Sequence, residues 1–137
     1  MVTIKKQELS LVVQANRLKS YFPDSKCFIR NNTLTWKGNL QPMHVSQKYL
    51  IKVVYQREKP PDVYVLDPKP LPLAKGETKL KHTYDTTKQH LCLYYRKAKE
   101  WDKAKFIADT IIPWTSEWLL HYELWVATGI WHGGGIH

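Results

Sequence analysis

Gln89-His90-Leu91-Cys92-Leu93-Tyr94-Tyr95 divides this 137-residue chain into a strand-forming part before it and a helix-forming part after it. Cys92 lies ten positions after His82 and follows a stretch broken by Pro68, Pro70, Pro72 and Gly76. Each proline removes a backbone donor and steers its predecessor away from helix. Asp67 to Thr87 therefore reads as a loop of about 20 residues, a length that in a compact domain usually serves function. Two readings of Cys92 are open. Between two leucines it can be an inert core thiol; at the end of a long surface loop beside histidines and lysines it can be a nucleophile, because the thiolate is the reactive species.

Upstream, Ile4, Leu9, Val12, Val13 and Leu18 recur at largely three- and four-residue steps, predicting an amphipathic helix that ends near Pro23-Asp24. Cys27 to Arg30 and Thr33 to Leu40 are β-prone runs separated by Asn31-Asn32, a pair that tolerates positive φ and predicts a hairpin turn. Lys48 to Tyr55 (KYLIKVVY) and Asp62 to Leu66 (DVYVL) complete an expected meander of four antiparallel strands. Cys27, flanked by Phe28 and Ile29, reads as core.

Downstream, Asp102 can cap a helix with Phe106, Ile107, Ile111 and Ile112 on one side. Pro113 suits the first turn of a second helix, in which Trp114, Trp118, Tyr122 and Trp125 form a stripe ended by Gly129. Such a stripe is expected to be core. The end, Trp131-His132-Gly133-Gly134-Gly135-Ile136-His137, reads as flexible. The predicted class is α+β: an N-terminal helix, a four-stranded antiparallel meander, a long cysteine-bearing loop and two C-terminal helices, in one domain spanning 1–137.

Composition excludes several functions. With 43% apolar and 12% aromatic residues the chain is globular. No run approaches the roughly 18 apolar residues of a membrane span, and the N-terminus lacks the apolar core of a secretion signal. A cytoplasmic protein with reduced cysteines is expected. The net charge is +9, and Lys69 to Lys105 holds ten Lys/Arg against four Asp/Glu, a field that favours acidic partners and a Cys92 thiolate. A nucleic-acid-binding module is disfavoured because the tryptophans sit at core spacing. His82, His90, Cys92, His132 and His137 lack the close ligand pairs of a structural zinc site, and no glycine-rich phosphate loop occurs, so neither metal nor cofactor is expected.

Trp36-Lys37-Gly38-Asn39-Leu40, Lys59-Pro60-Pro61-Asp62-Val63, His82 and Leu91-Cys92-Leu93-Tyr94, in this order, resemble the ubiquitin-conjugating enzyme fold over about residues 3 to 127. The segment from Glu117 to Trp125, with Thr128-Gly129-Ile130-Trp131 and the glycine-rich end, is similar to the standalone conjugating-enzyme-like proteins of bacterial type II (short) CBASS antiphage operons. That resemblance implies a cysteine transferase. Cys92 would accept, as a thioester, the C-terminal carboxyl of a cGAS/DncV-like nucleotidyltransferase and pass it to an amine. It implies a candidate catalytic set of Cys92, His82 and Tyr84. Where the eukaryotic family has His-Pro-Asn, this chain has His82-Thr83-Tyr84, so Tyr84 stands at the position of the oxyanion-supporting asparagine, and a phenol can also donate a hydrogen bond. Tyr84 can equally pack. His82 can orient the loop or act as a base, and His90 can pair with the thiol. Asp85 and Asp102 can orient an amine or cap turns. A catalytically weak conjugating-fold scaffold is the alternative function.

Overall fold

The computed structural model describes residues 7–133; Ile4 of the expected first helix and Gly134 to His137 of the expected flexible end lie outside them. α1 spans Leu11–Tyr21 and begins where the Ser10 hydroxyl accepts from the Val13 N–H at 3.1 Å, satisfying one of the donors a helix start leaves open. It buries Leu11, Gln14 and Leu18, one stripe at three- and four-residue spacing, and packs against the first hairpin. Val12 and Val13 face solvent instead.

β1 (Lys26–Arg30) and β2 (Thr33–Leu40) form that hairpin, with Arg30 opposite Thr33. The turn consists of Asn31 (φ 52°) and Asn32 (φ 61°), both left-handed, as the asparagine pair predicted. β3 (Tyr49–Tyr55) buries every second residue, and β4 (Asp62–Asp67) pairs antiparallel with it.

Among the described residues the sheet has six strands, not the expected four. β5 (Thr83–Asp85) and β6 (His90–Leu91) extend it in the order β1-β2-β3-β4-β6-β5. Segments of three and two residues are too short to show a periodicity. On the outer face, register places Lys26, Lys37 and Lys52 in one row across β1, β2 and β3, continued by Tyr64 on β4 and His90 on β6.

The proline loop is tied down rather than structureless. Leu71, Ala74 and Leu80 are buried. Buried Gln89 accepts from the Leu71 N–H (2.6 Å) and donates to the Val65 and Pro68 carbonyls (3.0 Å each). The Tyr122 hydroxyl donates to the Pro72 carbonyl.

Of the two expected C-terminal helices one exists, α2 (Ile111–Thr128), with Pro113 in its first turn and Gly129 (φ 79°) ending it. From Trp101 to Thr110 the chain makes successive turns after a short 3₁₀ segment, Arg96–Ala98. Gln14 explains the difference. Its side chain accepts from the Ile107 N–H (2.9 Å) and donates to the Lys105 carbonyl (2.8 Å), engaging backbone groups that a helix there would use. Trp118, Leu119, Tyr122 and Trp125 of α2 join Tyr49, Ile51, Val53 and Tyr55 of the sheet in one core. Among the described residues no helix is long and apolar enough to cross a membrane.

Candidate active site

Cys92 directly follows β6, and its N–H donates to the His82 carbonyl at 2.9 Å. The same carbonyl accepts from Trp118 Nε1 at 3.1 Å, so His82 ties the cysteine backbone to α2. His82 holds φ at 49°, a left-handed conformation uncommon outside glycine, although histidine, like asparagine and aspartate, adopts it more often than other residues. Its ring lies against Trp131, with centroids 4.8 Å apart.

The Tyr84 hydroxyl hydrogen-bonds the Cys92 sulfur. Tyr84 is in turn flanked by the Arg96 guanidinium, 4.8 Å from its ring centroid, and by the His90 ring at 4.8 Å. Asp62 contacts both of these groups, His90 Nε2 at 3.0 Å and Arg96 at 2.9 Å, and Tyr64 stacks on His90 at 4.6 Å. The three candidates Cys92, His82 and Tyr84 are therefore brought together, two of them through backbone or hydroxyl contacts.

Cys92 is only 6% exposed. It lines an open cleft of about 280 Å³ together with Trp114, Glu117, Trp118 and His121 of α2 and with Trp131 and Gly133. Burial pushes the thiol above its ordinary range; the Tyr84 hydroxyl, the Tyr94 backbone and the Arg96 charge oppose this without reversing it. The expected thiolate-favouring basic field is thus overruled at the sulfur. Desolvation acts at contact, whereas solvated lysines act through a screened distance. Burial also holds the Tyr84 phenol well above its usual range, so it is a hydrogen-bond donor near neutral pH.

These directions carry a prediction. Tyr84→Phe removes a donor to the sulfur and so raises the thiol further. Iodoacetamide alkylation of Cys92 at pH 8, separated from that of Cys27 by peptide mapping, is expected to slow about three- to tenfold. An unchanged rate would show that the phenol does not act on the sulfur.

The other residues weighed from sequence have structural partners. The Asp85 carboxylate accepts from the Lys88 N–H at 2.8 Å and shapes the β5–β6 turn; that of Asp102 accepts from the Ala104 N–H at 2.9 Å. Cys27 packs half-buried against the core beside Trp36. Glu100, Glu117, His121 and Trp131 were not singled out for the site, yet all face the cleft. A signal for the two on α2, Glu117 and His121, was present: they share one helix face with Trp114 and Trp118.

The family model described as E2-CBASS, type II CBASS E2 protein, matches residues 14–137. No curated protein matches the chain.

Proposed function

The chain belongs to the type II CBASS E2 family, and from that premise we propose that it is a thioester-forming protein transferase that primes antiphage signalling. Cys92 accepts the C-terminal carboxyl of a partner protein, a CBASS nucleotidyltransferase, and passes it to an amine. The carboxyl arrives activated, as an acyl adenylate or as another thioester. The Cys92 sulfur attacks the acyl carbon, a C–S bond forms, and AMP or the donor thiol leaves while the thiol proton passes to solvent. Tyr84 donates to the sulfur or to the carbonyl oxygen as negative charge gathers there. His82 positions the Cys92 backbone.

The observation that carries this reading is a cysteine lining an open cleft with a protonated phenol on its sulfur. A partly ionised thiol suffices for a strong nucleophile. The slight exposure of Cys92 supports the second reading, a scaffold that binds its partner without chemistry.

The two readings separate on a non-reducing gel. With the nucleotidyltransferase of its operon and an activating source, the protein is expected to form an adduct that dithiothreitol or neutral hydroxylamine cleaves and that Cys92→Ala abolishes. Co-purification of partner and protein with no covalent band would leave the scaffold, and an adduct surviving in Cys92→Ala would reject the transferase.

A further inference from the structure

Tyr84 is held less firmly by the backbone than its task requires. In β5 the register runs from Thr83 opposite Leu91 to Asp85 opposite His90, so Tyr84 is an extra residue with no partner across the ladder. β5 is three residues long and lies at one end of the sheet, and Tyr84 is 47% exposed. Neither regular pairing nor core packing therefore sets the direction of a phenol that must meet one sulfur atom. Its side-chain neighbours do. The Arg96 guanidinium lies over the ring at 4.8 Å, and the His90 ring is 4.8 Å away. These two groups come from different segments, the 3₁₀ turn and β6, yet both end on one carboxylate oxygen, Asp62 Oδ1, at 2.9 and 3.0 Å. Asp62 opens β4, a strand paired on both sides, and stands opposite Val54 of β3. With side chains 30% and 32% exposed, the Asp62–Arg96 ion pair adds little to stability on its own. What distinguishes it is convergence: two partners meet on one oxygen, and the same two meet on one ring.

We propose that Asp62 is a positioning residue: it holds Arg96 and His90 against Tyr84 and so keeps the phenol on the Cys92 sulfur. This inference rests on the role given to Tyr84 above and is independent of acyl transfer. Asp62 acts through the groups it binds, and its rigid strand lends them the fixed direction that the bulged residue lacks. Positioning and field have opposite signs here. Removing a negative charge near a thiol favours the thiolate by electrostatics alone, and a guanidinium released from its carboxylate acts in the same direction. Loss of position acts the other way, because the sulfur anion then lacks a hydrogen-bond donor. Asparagine keeps an oxygen that can accept from both groups while losing the charge; alanine keeps neither.

The test follows iodoacetamide alkylation of Cys92 in the full chain as a function of pH, with Cys27 as an internal reference resolved by peptide mapping. Asp62→Ala is expected to move the Cys92 midpoint to higher pH and to slow its alkylation about threefold near pH 8. Asp62→Asn is expected to restore most of that loss. Beside Tyr84→Phe, Asp62→Ala is expected to cause no further slowing, because the phenol it aims is gone. Arg96→Lys leaves Asp62 in place and keeps the charge, but loses the flat group over the ring, and is expected to slow Cys92 about twofold. Faster or unchanged alkylation in Asp62→Ala, slowing that adds to that of Tyr84→Phe, or an equal change at Cys27 would overturn the proposal. Should Asp62→Ala fail to fold, Arg96→Lys decides, and a rate equal to the parent's would overturn it. Failure to form a partner adduct would sink the transferase reading and leave these alkylation results standing.

Discussion

Gln89→Leu is expected to cost about 3–5 kcal/mol and to lower the melting temperature by about 10–15 °C, the largest effect foreseen for a single polar substitution. Gln89 is 1% exposed, and its amide satisfies the Leu71 N–H and the Val65 and Pro68 carbonyls. Leucine is of similar size but leaves the buried Leu71 N–H and Val65 carbonyl without this partner, at about 1–3 kcal/mol each before relaxation, and removes the part-buried bond to Pro68. Gln89 also sits at φ 52°. Glycine relieves that conformation, so Gln89→Gly is expected to be about 1 kcal/mol more stable than Gln89→Ala, although it removes just as many hydrogen bonds. Urea unfolding of the three variants checks both points, and the reverse order of glycine and alanine would reject the backbone account. The proline loop leads to the cysteine through this residue, so Cys92 alkylation is expected to speed up in the leucine variant before global unfolding.

The second large effect lies at Trp36, which is fully buried, donates from Nε1 to the Ser25 hydroxyl at 2.8 Å and meets Phe22 edge-on at 5.5 Å. Trp36→Ala is expected to cost about 3–5 kcal/mol. Gly38 lies beneath the ring. A Cβ there would come within 2.5 and 2.7 Å of two ring carbons, and the Ser25 bond keeps the ring from retreating. Gly38→Ala is therefore expected to cost about 1–3 kcal/mol in the parent and almost nothing beside Trp36→Ala. A double-mutant cycle by denaturant unfolding reads this directly, and additive costs would mean the ring is not what excludes the methyl. The Trp36-Lys37-Gly38 motif thus has a steric meaning of its own.

Much of the strand half was legible because its information is local. Alternation marked β3, the asparagine pair marked the hairpin, and Pro113 and Gly129 bracketed α2. Tyr84 was likewise placed near Cys92 by its position in the His82-Thr83-Tyr84 motif, and the sulfur contact followed. What escaped was long-range and polar. Gln14 and Gln89 each satisfy backbone groups far along the chain, and a glutamine carries no spacing that announces this. Periodicity from Phe106 to Ile112 favoured a helix, but α1 claims the backbone there. Cys92 shares its cleft with residues such as Trp118 and Trp131, more than twenty positions away, and burial outweighs charge at its sulfur, so neither feature was readable from neighbouring lysines.

The row of Lys26, Lys37 and Lys52 sets like charges directly opposite one another twice, with Cβ atoms about 5 Å apart. Its cost is small, and it starts at the edge of the sheet, where among the described residues β1 pairs on one side only and Phe28 is exposed. An edge of that kind invites the strands of another molecule to zip onto it, and a charged residue such as Lys26 there opposes that pairing. Protection of this sort weakens as dissolved ions shorten the reach of charge, so self-association of concentrated preparations is expected to rise with ionic strength.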